Sequence, residues 1–145
     1  MTTEEKQAFE EKLGVRFSNW SNPFWEGTAR GEFLIQRCQD CGNKMYPPRV
    51  YCTNCLSSNI EWIKTSGKGK VYTHSTIYDY PPPRIAKFLS PPYCLALVDL
   101  EEGPRMLTNI TGCKPEEVTC DMEVEVAFHD TGEGVVLPWF KPRTK

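Results

Sequence analysis

Histidine, long apolar runs and a surplus of charge of either sign are scarce in this chain, and each scarcity closes off a class of function. The 145 residues carry 17 basic and 19 acidic side chains, a formal net charge of −2. Residues 1–66 hold 8 of each sign, and residues 67–145 hold 9 basic and 11 acidic. Nucleic-acid binders draw much of their affinity from neutralising phosphates, so this balance argues against such a partner. Nothing approaches the roughly 18 consecutive apolar residues that a membrane span needs. The opening Met1–Lys6 begins with acids and has no apolar core, so it does not read as a secretory signal. A cytoplasmic location is therefore expected. The two histidines are His74 and His129. His129 precedes Asp130, but neighbours on a strand point to opposite faces, so the pair reads as surface groups and not as a general base. Phosphate-cradling glycine loops, H-E-x-x-H and G-x-S-x-G are all missing. No catalytic machinery is expected.

Cysteine, by contrast, is plentiful at 7 residues. Four of them form Cys38-Gln-Asp-Cys41-Gly42, then, after ten intervening residues, Cys52-Thr-Asn-Cys55. Each C-x-x-C closes a tight turn whose sulfurs face one point, and two such turns supply a tetrahedron of thiolates. In a reducing compartment such spacing favours a metal over disulfides. A strand on either side makes the segment a zinc ribbon. Iron and disulfides are the competing readings. Four thiolates close the coordination shell, so the expected zinc is structural and holds together a unit too small to fold on its own core. Cys94 begins an apolar strand and reads as a buried small side chain. Cys113 and Cys120 flank a connector and are candidates for a pair in an oxidising setting.

The rest of the chain reads as mainly β, preceded by N-terminal helices, in three segments: 1–32, 33–66 and 67–145. Residues 3–13 suit a helix with a capping box at Thr2 and Glu5 and a stop at Gly14. Asn22 and Pro23 start a short second helix that Gly31 ends. That helix is rich in aromatics, with Trp20, Phe24 and Trp25 within six residues. Either they pack against the chain's own body or they anchor a partner protein, since Trp and Phe are favoured at interface hot spots. Residues 33–37 and 60–64 read as strands around the cysteines. Gly67 and Gly69 suggest a hinge. Beyond it, Val71–Tyr80, Tyr93–Leu100, Arg105–Thr111, Met122–Phe128 and Val135–Phe140 read as five strands. The proline-rich stretch 81–92 forms a loop, and residues 112–121 a connector with one helical turn near Pro115. Met122, Val124, Val126 and Phe128 are expected to face inward. Five such strands with a break before the fourth fit an OB-fold barrel.

The order Pro23-Phe-Trp-Glu-Gly, Gly31-Glu-Phe-Leu-Ile-Gln-Arg-Cys38, Pro47-Pro48-Arg49, Glu61-Trp62, Gly67-x-Gly69, Pro92-Tyr93 and Val98-Asp-Leu-Glu-Glu-Gly resembles the DUF35 family over nearly the whole chain, and is similar to its stand-alone archaeal type. The resemblance implies N-terminal helices, a rubredoxin-like zinc ribbon and an OB-fold. It also implies a non-catalytic subunit that binds acyl-CoA or acts as a scaffold. The implied partner is a thiolase or a hydroxymethylglutaryl-CoA synthase-type protein, in lipid, isoprenoid or polyketide-like metabolism. On that footing CoA or acyl-CoA is a ligand alongside Zn²⁺, with Lys68, Lys70, Arg84, Lys87 and Phe88 as candidate contacts and Trp20, Phe24 and Trp25 as candidate partner contacts. Two other readings stand beside it: a nucleic-acid-binding zinc-ribbon/OB module, and a stand-alone enzyme such as a CoA thioesterase.

Overall fold

The computed structural model describes residues 2–13, 18–83, 85–132 and 134–143. Helix α1 (Thr3–Leu13) opens with the expected capping box. The Glu5 amide donates to Thr2 Oγ1 at 3.2 Å, and the Thr2 amide donates to Glu5 Oε2 at 2.6 Å. The expected stop at Gly14 lies outside the described residues. A 3-10 turn (Asn19–Ser21) runs directly into α2 (Asn22–Ala29). Asn22 is therefore not the cap: its backbone is already helical, and its side chain accepts a hydrogen bond from Lys6 Nζ instead. Pro23 occupies the first turn, where a missing N–H is harmless. Gly31, at φ 77°, reverses the chain after the helix as expected.

The ribbon is a small antiparallel sheet in the order β2-β1-β3, from β1 (Leu34–Cys38), β2 (Lys44–Met45) and β3 (Ile60–Lys64). The buried Gln36 clamps the loop between the cysteine pairs. Its Nε2 donates to the Arg49 carbonyl at 2.9 Å, and the Arg49 amide donates back to Oε1 at 2.6 Å. The Pro47-Pro48-Arg49 stretch is thereby held in place without helix or strand of its own.

The barrel comprises β4 (Lys68–Ile77), β5 (Tyr93–Leu100), β6 (Arg105–Ile110), β7 (Glu123–Asp130) and β8 (Val136–Pro142), closed in the order β4-β5-β6-β8-β7. Pairings are antiparallel except between β6 and β8, where Ile110 lies opposite Phe140. Strand β7 closes the ring on β4, with Gly69 opposite Val124. This connectivity is that of an OB-fold. The connector carries its helical turn at Pro115–Glu117. Along β5, Cys94, Ala96, Val98 and Leu100 point inward and are buried, the period-2 alternation of a barrel wall.

Strand β4 begins three residues earlier than the sequence suggests, because Gly67 and Gly69 are packed and not hinged. A Cβ on Gly69 would stand 2.7 Å from Val98 Cγ1 and 2.8 Å from the Asp99 carbonyl oxygen. Gly67, at φ 75°, lies against Val126. Both positions need the absence of a side chain for close backbone approach.

One hydrophobic cluster joins α2, the ribbon and the barrel. Phe24 of α2, Phe33 and Ile35 at the base of the ribbon, and Val71, Val98, Val124 and Phe140 of the barrel all belong to it. Met122, just before β7, and Val126 and Phe128 of β7 pack against it, matching the expected inward face. The Phe33 ring meets Phe140 edge-on at 6.1 Å and Phe24 at 6.0 Å. Among the described residues no helix is long and apolar enough to cross a membrane.

Candidate metal centre and ligand-binding surfaces

The two C-x-x-C turns bring four sulfurs together, all within 4.8 Å of one another. Cys38 and Cys55 Sγ lie 3.6 Å apart, as do Cys41 and Cys52 Sγ. A tetrahedron with Zn–S bonds of about 2.3 Å has sulfur–sulfur edges of about 3.8 Å. The four thiols therefore fit a zinc ion, and no position is left for water. In each turn the amide after the second cysteine reaches back to the first carbonyl: Gly42 to Cys38 at 2.9 Å, Leu56 to Cys52 at 3.0 Å. Other donors point at sulfur, including the Asn54 amide at 3.3 Å and Asn43 Nδ2 at 3.7 Å from Cys52 Sγ.

These donors ease deprotonation. The amide of Cys55 leads in holding the Cys52 thiol down to about 6, with that of Asn54 assisting. Cys41 is lowered by the Asn43 amide and then by the Asn54 side chain. Cys55 accepts from the Ser57 amide, yet Cys41, burial and the other two sulfurs push it up to about 12. Crowded thiolates of this kind call for a divalent cation among them. Outside the shell, Asp40 of the first turn accepts from Ser57 Oγ and from Asn59 Nδ2 beyond the second. The hydroxyl leads in lowering its carboxyl below the usual range. Asp40 thus laces the two turns together from outside.

The five candidate ligand contacts are not gathered in one place. Lys68 and Lys70 line a cavity of about 500 Å³ with Arg143, where they face Asp99, Glu101 and Asp121. Three cations against three carboxylates make a mixed surface and not a phosphate track. Lys87 is exposed in the proline-rich loop, while Phe88 turns into a separate apolar groove of about 310 Å³ beside Trp25, Leu107 and Trp139. Arg84 lies outside the described residues. The three candidate partner contacts also divide. Trp20 is 52% exposed, Trp25 is half-buried, and Phe24 is 3% exposed at the centre of an aromatic cluster with Trp25, Phe33 and Tyr46. For Phe24 the self-packing alternative holds: its ring is already covered and offers a partner nothing.

The remaining sequence candidates fall into ordinary roles. The His129 ring stacks on Trp139, with centroids 4.0 Å apart, and Asp130 accepts the Gly132 amide at 2.9 Å. Cys94 is buried as expected, and Cys113 and Cys120 are both free thiols rather than a pair. Sequence reasoning missed Asn109. It is 8% exposed, its Oδ1 is buried with no hydrogen-bond partner, and it lines the Phe88 groove.

The family profile described as the ChsH2 rubredoxin-like zinc ribbon domain matches residues 25–61, and that of the ChsH2 C-terminal OB-fold domain matches residues 62–129. A Methanocaldococcus jannaschii protein named DUF35 domain-containing scaffold protein is 40% identical over 110 residues, covering 72% of this chain and 76% of that one. The benzoylsuccinyl-CoA thiolase subunit BbsA of Geobacter metallireducens is 37% identical over 92 residues, covering 63% of this chain and 58% of that one. Among solved structures, a chain of the Ltp2-ChsH2(DUF35) aldolase superposes with a TM-score of 0.79 at 28% identity, covering 88% of this chain and 98% of that chain. With the ribbon, the barrel and the order of the two all shared, the chain belongs to the DUF35 family.

Proposed function

We propose that this protein is a non-catalytic accessory subunit that binds acyl-CoA and docks on a thiolase-type enzyme in the cytoplasm. The observation that carries this reading is the shared layout. This chain joins a four-cysteine ribbon and an OB barrel through a common core, and its sequence is similar to relatives named as a scaffold protein and as a thiolase subunit. Within this reading the exposed Trp20, with Trp25 beside it, forms part of the docking surface. Lys87 and Phe88 offer a cation and an aromatic face to the CoA, while Lys68 and Lys70 stand on a separate surface among carboxylates. The zinc takes no part in chemistry. Its four thiolates hold the ribbon upright against α2, which fixes where Trp20 and Trp25 stand.

The test is capture from the native source with the tagged full-length chain. A thiolase-type subunit is expected in stoichiometric amount, resistant to about 150 mM salt. Single-stranded DNA is expected to leave the melting temperature unchanged at that salt. Recovery of the chain with nucleic acid and without such a subunit would overturn the proposal.

A further inference from the structure

The outer face of the barrel carries a groove whose chemistry is specific. Alternation along the strands turns Leu107 and Asn109 of β6 outward while Met106, Thr108 and Ile110 face in. Trp139 of β8 lines the same groove, Phe88 and Leu89 of the proline-rich loop roof it, and Trp25 stands at its edge. The described lining is mostly apolar, with Tyr46, Thr108 and Asn109 as its hydroxyl and amide side chains, and Asn109 Oδ1 is buried and unpartnered. The adjoining buried hydroxyl shows the contrast, since Thr108 Oγ1 donates to the Pro138 carbonyl at 2.9 Å. Buried acceptors are nearly always satisfied. One left open at the wall of an apolar groove therefore points to a donor that arrives with a ligand.

Size and charge narrow the ligand. A cavity of about 310 Å³ lies at the small end of ligand pockets, enough for a slim chain and too small for a nucleotide as well. Among the described residues no charged side chain lines it, which gives the interior no counter-charge for phosphates. A bare aliphatic chain would fill the groove but leave Asn109 unpaired. A linear, largely aliphatic arm that carries amide N–H groups satisfies both demands.

We propose that this groove takes the pantetheine arm of an acyl-CoA, with Asn109 Oδ1 accepting one of its amide protons. The proposal rests on the acyl-CoA reading above and assigns that ligand a place. It leaves the nucleotide in solvent beyond Phe88, next to the exposed Lys87.

Calorimetric titration of the full-length zinc-loaded chain with pantetheine, CoA, 3′,5′-ADP and decanoate tests it. CoA and pantetheine are expected to bind. Asn109→Leu keeps the apolar volume and removes the acceptor, so it is expected to weaken both at least tenfold while melting no lower than the wild type. Should that variant fail to fold, Leu107→Glu, at a 62% exposed position on the rim, is expected to weaken the same two ligands. Tighter binding of decanoate than of pantetheine would overturn the proposal. So would groove signals, followed by NMR, that shift only when the thiolase-type subunit is added, which would assign the groove to a partner segment. If CoA binds wild type and Asn109→Leu alike, the acyl-CoA reading survives and the groove assignment falls. If neither CoA nor pantetheine binds, both fall.

Discussion

Replacing Phe24 with alanine is expected to destabilise the whole molecule by about 3–5 kcal/mol, the usual cost of deleting a buried phenyl ring. The figure follows from where the ring sits. It is 3% exposed, meets Trp25 edge-on at 4.9 Å, lies 5.9 Å from Tyr46 and 6.0 Å from Phe33, and belongs to the cluster that includes Val71 and Phe140 of the barrel. Little can collapse into the space, because the surrounding aromatics are held on α2, the ribbon and β8. The loss should therefore fall near the upper end of that range. Urea unfolding of the zinc-loaded protein, followed in parallel by far-ultraviolet circular dichroism and tryptophan fluorescence, reads the effect. One transition common to both probes, displaced to lower urea with an unchanged slope, is expected. Trp20→Ala, at a site 52% exposed, is the control and should change stability by less than about 0.5 kcal/mol. Two separated transitions, or a Phe24→Ala cost under about 1 kcal/mol, would refute the single shared core.

Cys52→Ser is expected to bring the metal content, read by atomic emission, well below one zinc per chain and to lower stability by several kcal/mol; full retention of zinc would contradict a closed four-thiolate site. Burial pushes the Tyr46 phenol up to about 12 from the usual 10, so its contribution is complete below pH 10 and lost as the pH rises through 12. Two pKa units correspond to roughly 2.7 kcal/mol; stability curves from pH 9 to 12 should fall more steeply in the wild type than in Tyr46→Phe, and parallel curves would refute the assignment. The equivalent turn positions Gly42 and Leu56 have φ of 78° and 64°. Gly42→Ala should cost about 1–2 kcal/mol and Leu56→Gly should gain up to about 1 kcal/mol; thermal melts that move in the same direction for both would contradict this.

The metal centre was legible in the sequence because a C-x-x-C turn depends only on residues within it, and two turns can converge on one ion wherever the connecting loop runs. The barrel strands were legible for a similar reason: alternation such as Met122, Val124, Val126 and Phe128 reports one buried face directly. What failed depended on contacts distant in sequence. Gly69 resembles a hinge until Val98 and Asp99 are placed across from it. Phe24 and Trp20 look equivalent as aromatics of one short helix, yet only the fold decides that one enters the core and the other faces solvent. Lys68 and Phe88 are grouped as candidate contacts of one ligand on the family resemblance, whereas the closed barrel sends them to different surfaces. Asn109 carried a faint signal, an amide at an outward position of a strand, two residues after Leu107 and next to Ile110. Its significance needed the proline-rich loop folded over it, which no local pattern reveals.

The central claim, an accessory subunit without chemistry of its own, is tested most directly by acyl-CoA turnover in a three-way reconstitution. The purified chain, the thiolase-type subunit it captures, and the two recombined are each assayed with the same acyl-CoA. The account predicts no turnover by the chain alone and a higher kcat/KM for the recombined pair than for the enzyme subunit by itself. Turnover by the isolated chain, or an enzyme subunit whose rate is indifferent to it, would contradict the account.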